Sequence, residues 1–373
     1  MPLVKKCYHC KIIENLTNTK LVALQQEYDN LQHYLQTNKK EDLGLYSANK
    51  QQADRFYKVI KKGKKYPLSI RNDLLKIKHN PNNNSIAGYW VRIPVKAARG
   101  GLWIGLIKPY EPISIDSKIC ESKLYKRDNL WYLDIVVEKE VPERTTEYQN
   151  VIGIDMGIKH IACSVNLANG LTKFYGKRLN QIRGHYFWLR RKLGQKKLLS
   201  VIKRIGQREL RITNDIIHNI SREIVNRAIE TNALIVLGDI KYLRKKKKQR
   251  CYRGGRKRRM ARLLSGFPYY KLTQYIMYKA ALAGIKCIKV SEAYTSQYCT
   301  RCYRKGTRKC QGLFECSNCS IKGENADRNA AFNIAKRGLG YISRLGVIVN
   351  LPRTFAMRSS NAMMTKEKEA IGL

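Results

Sequence analysis

Two pairs of closely spaced cysteines stand out among the residues that could do chemistry. Cys299 and Cys302 form one CxxC pair, and Cys316 and Cys319 form a second pair, with thirteen residues between the two pairs. Two thiolates at this spacing fold a tight turn around one side of a metal ion, and two such turns complete a tetrahedral site. The pattern predicts one structural zinc ion held by all four cysteines, with free thiols or a redox pair as the alternative. Cys310, between the two pairs, is expected to be a spectator.

A third CxxC pair, Cys7 and Cys10, has no partner pair nearby, so we interpret it as strand or surface cysteines. The chain begins MPLVKKCYHC, which lacks the apolar stretch and the cleavage site of a signal peptide. No apolar run approaches the length of a membrane helix. We therefore expect an intracellular protein whose thiols are reduced or bound to metal. The single cysteines are expected to be buried or incidental: Cys120, Cys163, Cys251 and Cys287.

Two carboxylates occupy positions that suggest a second metal site. Asp155 ends an apolar strand in GIDMG, and Asp327 begins a predicted helix in NADRNAAFNIA. A buried carboxylate is costly unless it is paired or metal-bound, although a turn cap or a helix N-cap would be an ordinary structural role. Two acids brought together from separate elements can hold Mg²⁺ or Mn²⁺, and a two-ion site usually needs a third acid.

The charge of the chain indicates a polyanionic partner. Its 73 lysines and arginines against 28 acidic residues give a net charge of +45 over 373 residues. An acidic small-molecule substrate would require only one local patch, whereas an excess spread over the chain indicates nucleic acid. Residues 241–262 contain thirteen basic residues and no acid, and a basic helix predicted over Gln181–Ile205 interleaves aromatic residues; the alternative for that helix is a solubilising surface. The candidate nucleic-acid-binding residues are Arg190, Arg191, Lys196, Lys197, Lys245, Lys246, Lys247, Lys248, Arg256, Lys257, Arg258 and Arg259.

Strand-like and helical segments alternate differently in the two halves of the chain. In the first half, apolar spacing predicts a helix over Leu21–Leu35 and weaker helices over Ala53–Ile60 and Ser69–Ile77. Short β-branched and aromatic runs then predict strands, which with the helical block fit a small barrel carrying a helical insertion. These runs are Tyr89–Ile93, Leu102–Ile107 and Leu130–Val137.

The second half reads as an α/β domain that follows a polar linker at 142–150. Residues 151–167 predict a strand, a tight turn and a second strand, and further buried strands are predicted at 233–240 and 285–290. Long helices are predicted over Gln181–Ile205, Glu209–Glu230 and Tyr269–Ala283, the last with Gly284 as its C-cap.

In chain order, GIDMG, LGDI, AYTSQYCTRC, FECSNC and NADRNAAFNIA resemble the TnpB family of transposon-encoded RNA-guided nucleases, which are related to compact type V CRISPR effectors. The resemblance covers the second half of the chain, and the first half is similar only in architecture. It implies an α+β multidomain fold. An N-terminal wedge-type β-barrel (1–148) with a helical recognition insertion (17–85) would precede an RNase H-like (RuvC) α/β nuclease domain (149–338) with an inserted four-cysteine zinc ribbon (295–322) and a largely disordered tail (339–373).

One position departs from the family pattern. Most relatives place a catalytic Glu in the second motif, where this chain has Gly238 followed by Asp239. Some branches of the family resemble this chain in having Gly-Asp there and a relocated Glu before TS, which points to Glu292. Asp239 is the less favoured candidate because a shift of one residue on a strand turns the side chain to the other face. A catalytically inactive protein is the third alternative.

The resemblance implies an RNA-guided DNA endonuclease of a mobile element, with Asp155, Glu292 and Asp327 holding two Mg²⁺ or Mn²⁺ ions and the ribbon holding one Zn²⁺. The implied partners are a guide RNA and double-stranded target DNA with a short adjacent motif, bound by a protein that is monomeric with its RNA. The alternatives are a nuclease-inactive RNA-guided regulator and an accessory transposition protein. The residues do not identify the guide or the target-adjacent motif.

Overall fold

The computed structural model describes residues 3–61, 63–80, 85–109, 111–142, 144, 147–239, 268–308, 312–342 and 348–349. These residues fall into two compact units, Leu3–Glu140 and a second unit that begins at Val141. None of the helices in the described ranges is both long and apolar enough to span a lipid bilayer. The basic run 241–262 and most of the expected tail lie outside the described residues.

The first unit is built from two antiparallel sheets that are joined by a bridge between Ile12 and Leu106. One sheet has the order β1-β8-β7-β2, with β6 paired to β8, and the other has the order β3-β4-β5. The predicted strands at 89–93, 102–107 and 130–137 are confirmed. The strands are β1 (Leu3–Lys11), β2 (Leu68–Ile70), β3 (Lys76–His79), β4 (Ala87–Val95), β5 (Ala98–Ile107), β6 (Lys118–Ile119), β7 (Ser122–Arg127) and β8 (Leu130–Glu140).

Two helices, α1 (Asn18–Gln36) and α2 (Ser47–Phe56), precede β2. The helix predicted over Leu21–Leu35 is confirmed, and Leu24, Leu31 and Leu35 bury its apolar face. The helix predicted over Ser69–Ile77 is wrong, because β2 and β3 occupy that segment. Ile77 is buried between two exposed lysines, which is the two-residue period of a strand rather than a helical period.

The second unit contains a five-stranded sheet with the order β12-β11-β10-β13-β14. Strands β10, β13 and β14 pair in parallel, and β11, which lies between β12 and β10, is antiparallel to both of them. Strand β12 therefore runs in the same direction as β10, β13 and β14. The interior strand β13 is buried along almost its whole length, as expected for a parallel strand covered on both faces. The strands are β9 (Glu147–Tyr148), β10 (Asn150–Asp155), β11 (Ala162–Asn166), β12 (Thr172–Tyr175), β13 (Ala233–Asp239), β14 (Cys287–Ser291), β15 (Leu313–Cys316), β16 (Ile321–Asn325) and β17 (Ile348–Val349).

Four helices complete the described part of this unit: α3 (Leu179–Gln195), α4 (Leu199–Glu230), α5 (Tyr269–Leu282) and α6 (Ala326–Ile342). The prediction of one helix over Gln181–Ile205 is wrong, because α3 ends at Gln195. The amide of Leu198 donates to the carbonyl of Leu193, and the amide of Lys197 donates to that of Gly194, with Lys197 at φ 59°. This is a Schellman motif, and the sequence concealed it because a lysine holds the left-handed position that glycine usually occupies.

Helix α6 lies directly on β10, and Gly153 is where the two backbones approach each other. A Cβ atom at Gly153 would lie 2.2 Å from the carbonyl oxygen of Ala331 and 2.7 Å from the Cβ of Ala335. No side chain larger than hydrogen fits there. The small residues therefore fix the height of α6 above the strand, and with it the position of the residues at the start of the helix.

We expect Gly153→Ala to lower the free energy of unfolding by at least 1–3 kcal/mol, roughly the cost of overpacking a core. The added methyl group would have to displace the backbone of α6 rather than a flexible side chain. Urea denaturation of the purified protein measures the change. Gly206→Ala is the matched control, because Gly206 lies in α4 with nothing within 4 Å of an added Cβ. That variant is expected to be neutral or more stable by up to about 1 kcal/mol. A Gly153→Ala protein as stable as Gly206→Ala would contradict the close packing.

Candidate metal centres

The four cysteines of the two predicted pairs come together in one cluster. Their Sγ atoms all lie within 4.8 Å of one another, with 4.0 Å between Cys299 and Cys319 and 3.6 Å between Cys302 and Cys316. Four sulfurs about 2.3 Å from a tetrahedral zinc ion are separated by about 3.8 Å, so the cluster has the dimensions of a closed four-thiolate site. The geometry and the chemistry of the donors both fit one structural metal ion.

The backbone around the cluster is shaped for metal binding. The amide of Arg301 donates to Cys299 Sγ at 3.4 Å. Tyr303 and Ser320, which follow the second cysteine of each pair, have φ values of 56° and 52°. Both turns therefore close with a left-handed residue. The second cysteine pair lies in the β15–β16 hairpin. Cys310, the expected spectator, is outside the described residues.

The third CxxC pair lies on strand β1. Cys7 is exposed and Cys10 is buried, because residues three apart on a strand point to opposite faces of the sheet. These two thiols cannot bind one ion together, which agrees with their interpretation as strand cysteines.

The predicted carboxylates lie around the carboxyl ends of the parallel strands. Asp155 is the last residue of β10, and Glu292 follows β14 directly. Asp327 lies in the first turn of α6. In the register, Gly238 is opposite Val290 on β14, and its neighbour Leu237 is opposite Ile154 on β10. The end of β13 therefore lies between Asp155 and Glu292.

The side chain of Glu292 fills the space that a side chain at Gly238 would need. A Cβ atom at Gly238 would lie 2.2 Å from Oε1 of Glu292, 2.4 Å from its Cγ and 2.7 Å from its Cδ. The Glu292 carboxylate thus reaches the position beside β13 from the neighbouring strand. Strand alternation directs the side chain of Asp239 away from the face to which Gly238 belongs.

The carboxylates influence one another electrostatically. Burial raises the pKa of Asp155 to about 7; the Asp327 carboxylate adds to this rise, and the Arg308 guanidinium opposes it. Burial also raises the pKa of Glu292 to about 8, with contributions from Asp155 and Asp239. Acids that resist ionisation next to one another are typical of a site that a cation neutralises.

An unsatisfied oxygen supports the same interpretation. Oε1 of Glu292 is buried and has no hydrogen-bond partner within the described residues. Such an atom is costly unless it binds something, and hard oxygen donors suit Mg²⁺ or Mn²⁺. Over the described ranges, the cysteines are the only group of three or more ligand atoms within 4.8 Å of one another, so the three carboxylates are spaced more widely.

Asp327 does not act as the cap of helix α6, which was its alternative role. The side-chain Oδ1 of Asn325 accepts hydrogen bonds from the amides of Asp327 and Arg328 at 2.9 and 3.2 Å. Asn325 therefore caps the helix. Asp327 Oδ2 lies 3.7 Å from the position of a Cβ atom at Gly157, in the turn after β10.

Sequence reasoning missed the polar face of α6, which fastens the segment between Glu292 and the cysteine cluster. The buried Asn333 donates from Nδ2 to the carbonyls of Thr295 and Tyr298 at 2.8 and 2.7 Å. The buried Asn329 donates to the carbonyl of Tyr298 and accepts from the amide of Thr300. The sequence signal for this face was the i, i+4 spacing of Asn329 and Asn333, which places both asparagines on one side of the helix. The helix that carries Asp327 therefore also anchors the loop that carries Glu292.

The predicted nucleic-acid-binding residues lie in different environments. Arg190 pairs with Glu209 across the α3–α4 hairpin at 2.5 Å, which sets it apart from the exposed Arg191, Lys196 and Lys197. Trp188 is 51% exposed and lies under the Lys192 ammonium at 4.2 Å. The remaining eight predicted residues, between 245 and 259, lie outside the described residues.

Comparison with known proteins gives consistent matches. Residues 269–334 match a family model described as Cas12f1-like, TNB domain. The chain is 31% identical over 227 residues to a CRISPR-associated endodeoxyribonuclease Cas12f1 of Sulfoacidibacillus thermotolerans, a match that covers 56% of this chain and 50% of the relative. It is 25% identical over 232 residues to a TnpB-like protein of Methanocaldococcus jannaschii, covering 57% of this chain and 80% of the relative. The chain thus spans only about half of the Cas12f1 relative.

A solved structure shares the fold. The structure described as a Cas12f1–sgRNA–target DNA complex has a TM-score of 0.54 and 13% sequence identity to this chain. The match covers 85% of this chain and 81% of the solved chain. At this identity the likeness concerns the mixed α+β fold alone.

Proposed function

Because the chain is related to the Cas12f and TnpB-like proteins, we propose that it is an RNA-guided DNA endonuclease of a mobile element. The observation that carries the proposal is the placement of Glu292 in the space beside Gly238, in electrostatic contact with Asp155. A buried third acid at that position is costly unless it binds something, and a protein without nuclease activity would gain nothing from it.

Asp155, Glu292 and Asp327 are the proposed catalytic residues. Two Mg²⁺ or Mn²⁺ ions bound there would supply activation of a water molecule and neutralise charge at the cleaved phosphodiester. The three acids come from three different elements. Asp155 ends β10, Glu292 directly follows β14, and Asp327 lies in the first turn of α6. Arg308 acts on Asp155 from the segment between the cysteine pairs, so the same segment brings a cation near the acids.

The four-cysteine cluster is the proposed site of one structural Zn²⁺. Its thiolates are soft donors in a closed tetrahedral arrangement, which leaves no position for a substrate. The loop from Glu292 to Cys299 is bonded to α6 by Asn329 and Asn333. A folded ribbon therefore supports the placement of Glu292 as well as its own hairpin.

The proposed domain organisation keeps the ranges expected from the sequence. Residues 1–148 would form the wedge-type barrel with its insertion at 17–85, and residues 149–338 the RuvC-like domain with the ribbon at 295–322. The sheet order β12-β11-β10-β13-β14, in which four strands share one direction and β11 is reversed, supports an RNase H-like assignment. Within the insertion, helices occupy 18–36 and 47–56, and α6 continues to Ile342, past the expected start of the tail.

The proposed partners are a guide RNA and double-stranded target DNA with a short adjacent motif, bound by one protein chain per RNA. A net charge of +45 and the exposed basic residues of α3 support phosphate binding. Base pairing with the guide would supply sequence specificity, and the protein would bind the backbone of the heteroduplex.

The experiment that tests this function starts from the protein purified together with RNA from its own genetic locus. Sequencing of the bound RNA identifies the guide end, and a plasmid library matched to that end, with randomised flanking bases, reports cleavage and the adjacent motif. We expect cleavage of matched plasmids that requires both the RNA and Mg²⁺ or Mn²⁺. Specific binding of the matched plasmid without cleavage under any divalent metal would favour the inactive-regulator alternative instead.

A further inference from the structure

Three aromatic rings lie side by side on the outward face of the sheet formed by β1, β8 and β7. The rings of His9 and Tyr132 are nearly parallel, with centroids 5.3 Å apart and an angle of 15° between their planes. The centroids of Tyr132 and Tyr125 are 5.8 Å apart at 19°, and those of Tyr125 and His9 are 6.0 Å apart at 34°. Side chains alternate between the faces of a sheet, and the neighbours Tyr8 and Trp131 bury their rings in the core. The three rings therefore form one compact aromatic cluster on the face opposite the core.

Hydrogen bonds hold this aromatic cluster in place without covering it. Oδ1 of Asp134 accepts from Nδ1–H of His9 at 2.5 Å and from the hydroxyl of Tyr125 at 3.4 Å. Asp134 is opposite His9 in the β1–β8 register and opposite Lys123 in the β7–β8 register. The side chain of His9 nonetheless remains 57% exposed. Rings that are oriented in advance lose little conformational freedom when a ligand stacks on them.

Positive charge flanks the same face. Lys123 and Arg127 alternate with Tyr125 along β7, so all three point outward, and both basic side chains are exposed. Aromatic faces next to cations on an open sheet have the chemistry that binds unpaired nucleotides, in which bases stack on the rings and phosphates approach the charges. A paired duplex keeps its bases stacked on one another and does not offer them to such a cluster.

We propose that the aromatic cluster of His9, Tyr132 and Tyr125 binds an unpaired segment of RNA by base stacking, with its phosphates beside Lys123 and Arg127. The choice of RNA rests on the function proposed above, since proteins recognise RNA mainly at single-stranded loops and ends whose bases are splayed out. The site belongs to the unit Leu3–Glu140 and shares no residue with the carboxylate site.

The test uses the full chain carrying Asp155→Ala, so that cleavage plays no part in the readout. The probes are a fluorescent single-stranded RNA, a single-stranded DNA of the same sequence and an RNA duplex. Tyr132→Ala is expected to weaken binding of the single-stranded RNA about 5- to 150-fold, the range for loss of one base–aromatic stack. The salt dependence should stay unchanged because no charge is removed, whereas Lys123→Ala should reduce the slope by about one.

Two further variants separate stacking from folding. Tyr132→Phe keeps the ring and should bind like the parent chain. Tyr270→Ala removes a tyrosine that is 63% exposed on α5, and it should also leave binding unchanged. Ultraviolet cross-linking of RNA that contains 4-thiouridine, followed by mass spectrometry, should place adducts on peptides of β7 or β8.

Parent-like RNA binding by Tyr132→Ala, or adducts confined to other segments, would overturn the proposal. An equal loss with single-stranded DNA would overturn the assignment to RNA. If the stacking effect is seen in the Asp155→Ala chain but the wild-type chain never cleaves guided targets, the proposed nuclease function is contradicted and the RNA site stays supported. The two failures are therefore distinguishable.

Discussion

Glu292→Ala is expected to abolish metal-dependent cleavage of target DNA while guided DNA binding survives. The Glu292 carboxylate lies where a Gly238 side chain would project, and it is electrostatically coupled to Asp155. Removal of one ligand from a two-ion site takes away several kcal/mol of transition-state stabilisation, on the order of 10³-fold or more in rate. Cleavage and filter-binding assays on the RNA-loaded protein measure the two activities separately. Asp155→Ala and Asp327→Ala should behave in the same way.

Asp239→Ala is the matched control for this prediction. Asp239 also ends a strand close enough to raise the pKa of Glu292, but it is the neighbour of Gly238 and its side chain starts from the other face of β13. We expect this variant to keep substantial cleavage. Full activity in Glu292→Ala together with loss in Asp239→Ala would assign the third acid to Asp239.

Cys299→Ser is expected to cause the largest loss of stability. The purified wild-type protein should contain about one zinc ion per chain, because the four sulfurs match a single tetrahedral site. Structural zinc contributes about 10–16 kcal/mol to the folding of small zinc domains, so loss of one thiolate should unfold the ribbon. Metal analysis and thermal denaturation measure the two consequences. The variant should also lose cleavage, because the loop after Glu292 leads directly into this site.

Cys7→Ser is the control, since Cys7 is exposed on β1 and lies outside the cluster. It should keep the wild-type zinc content and melting temperature. A full zinc complement in the double variant Cys299→Ser, Cys316→Ser would falsify the four-cysteine assignment.

Much of the fold could be predicted because its strands and helices have strong local periodicity. Apolar runs predicted strands β4, β5, β8, β10 and β13, and helical spacing predicted α1, α5 and the part of α4 from Glu209 to Glu230. The errors arose where tertiary structure overrides local pattern. The break between α3 and α4 depends on a lysine at φ 59°, and strands β2 and β3 are too short to show a clear period.

The candidate site could be predicted in part for a related reason. The cysteine pairs follow a motif whose spacing carries the chemistry. The two aspartates were singled out by their places at a strand end and at a predicted helix start, and the family resemblance suggested their shared role. The hydrogen bonds of Asn333 and the capping role of Asn325 connect elements that only folding brings together. The close approach at Gly153 likewise depends on α6 crossing β10, which no local pattern announces.

The central claim is tested most directly by moving the glutamate from position 292 to position 238, in the double variant Gly238→Glu, Glu292→Ala. Cleavage rates are to be measured for the wild type, Gly238→Glu, Glu292→Ala and the double variant, each loaded with guide RNA. A side chain at Gly238 collides with Glu292 in the wild type, so Gly238→Glu should be impaired, whereas Glu292→Ala vacates the space. We predict that the double variant cleaves faster than either single variant. Wild-type cleavage by Gly238→Glu, with no gain in the double variant over Glu292→Ala, would contradict the account.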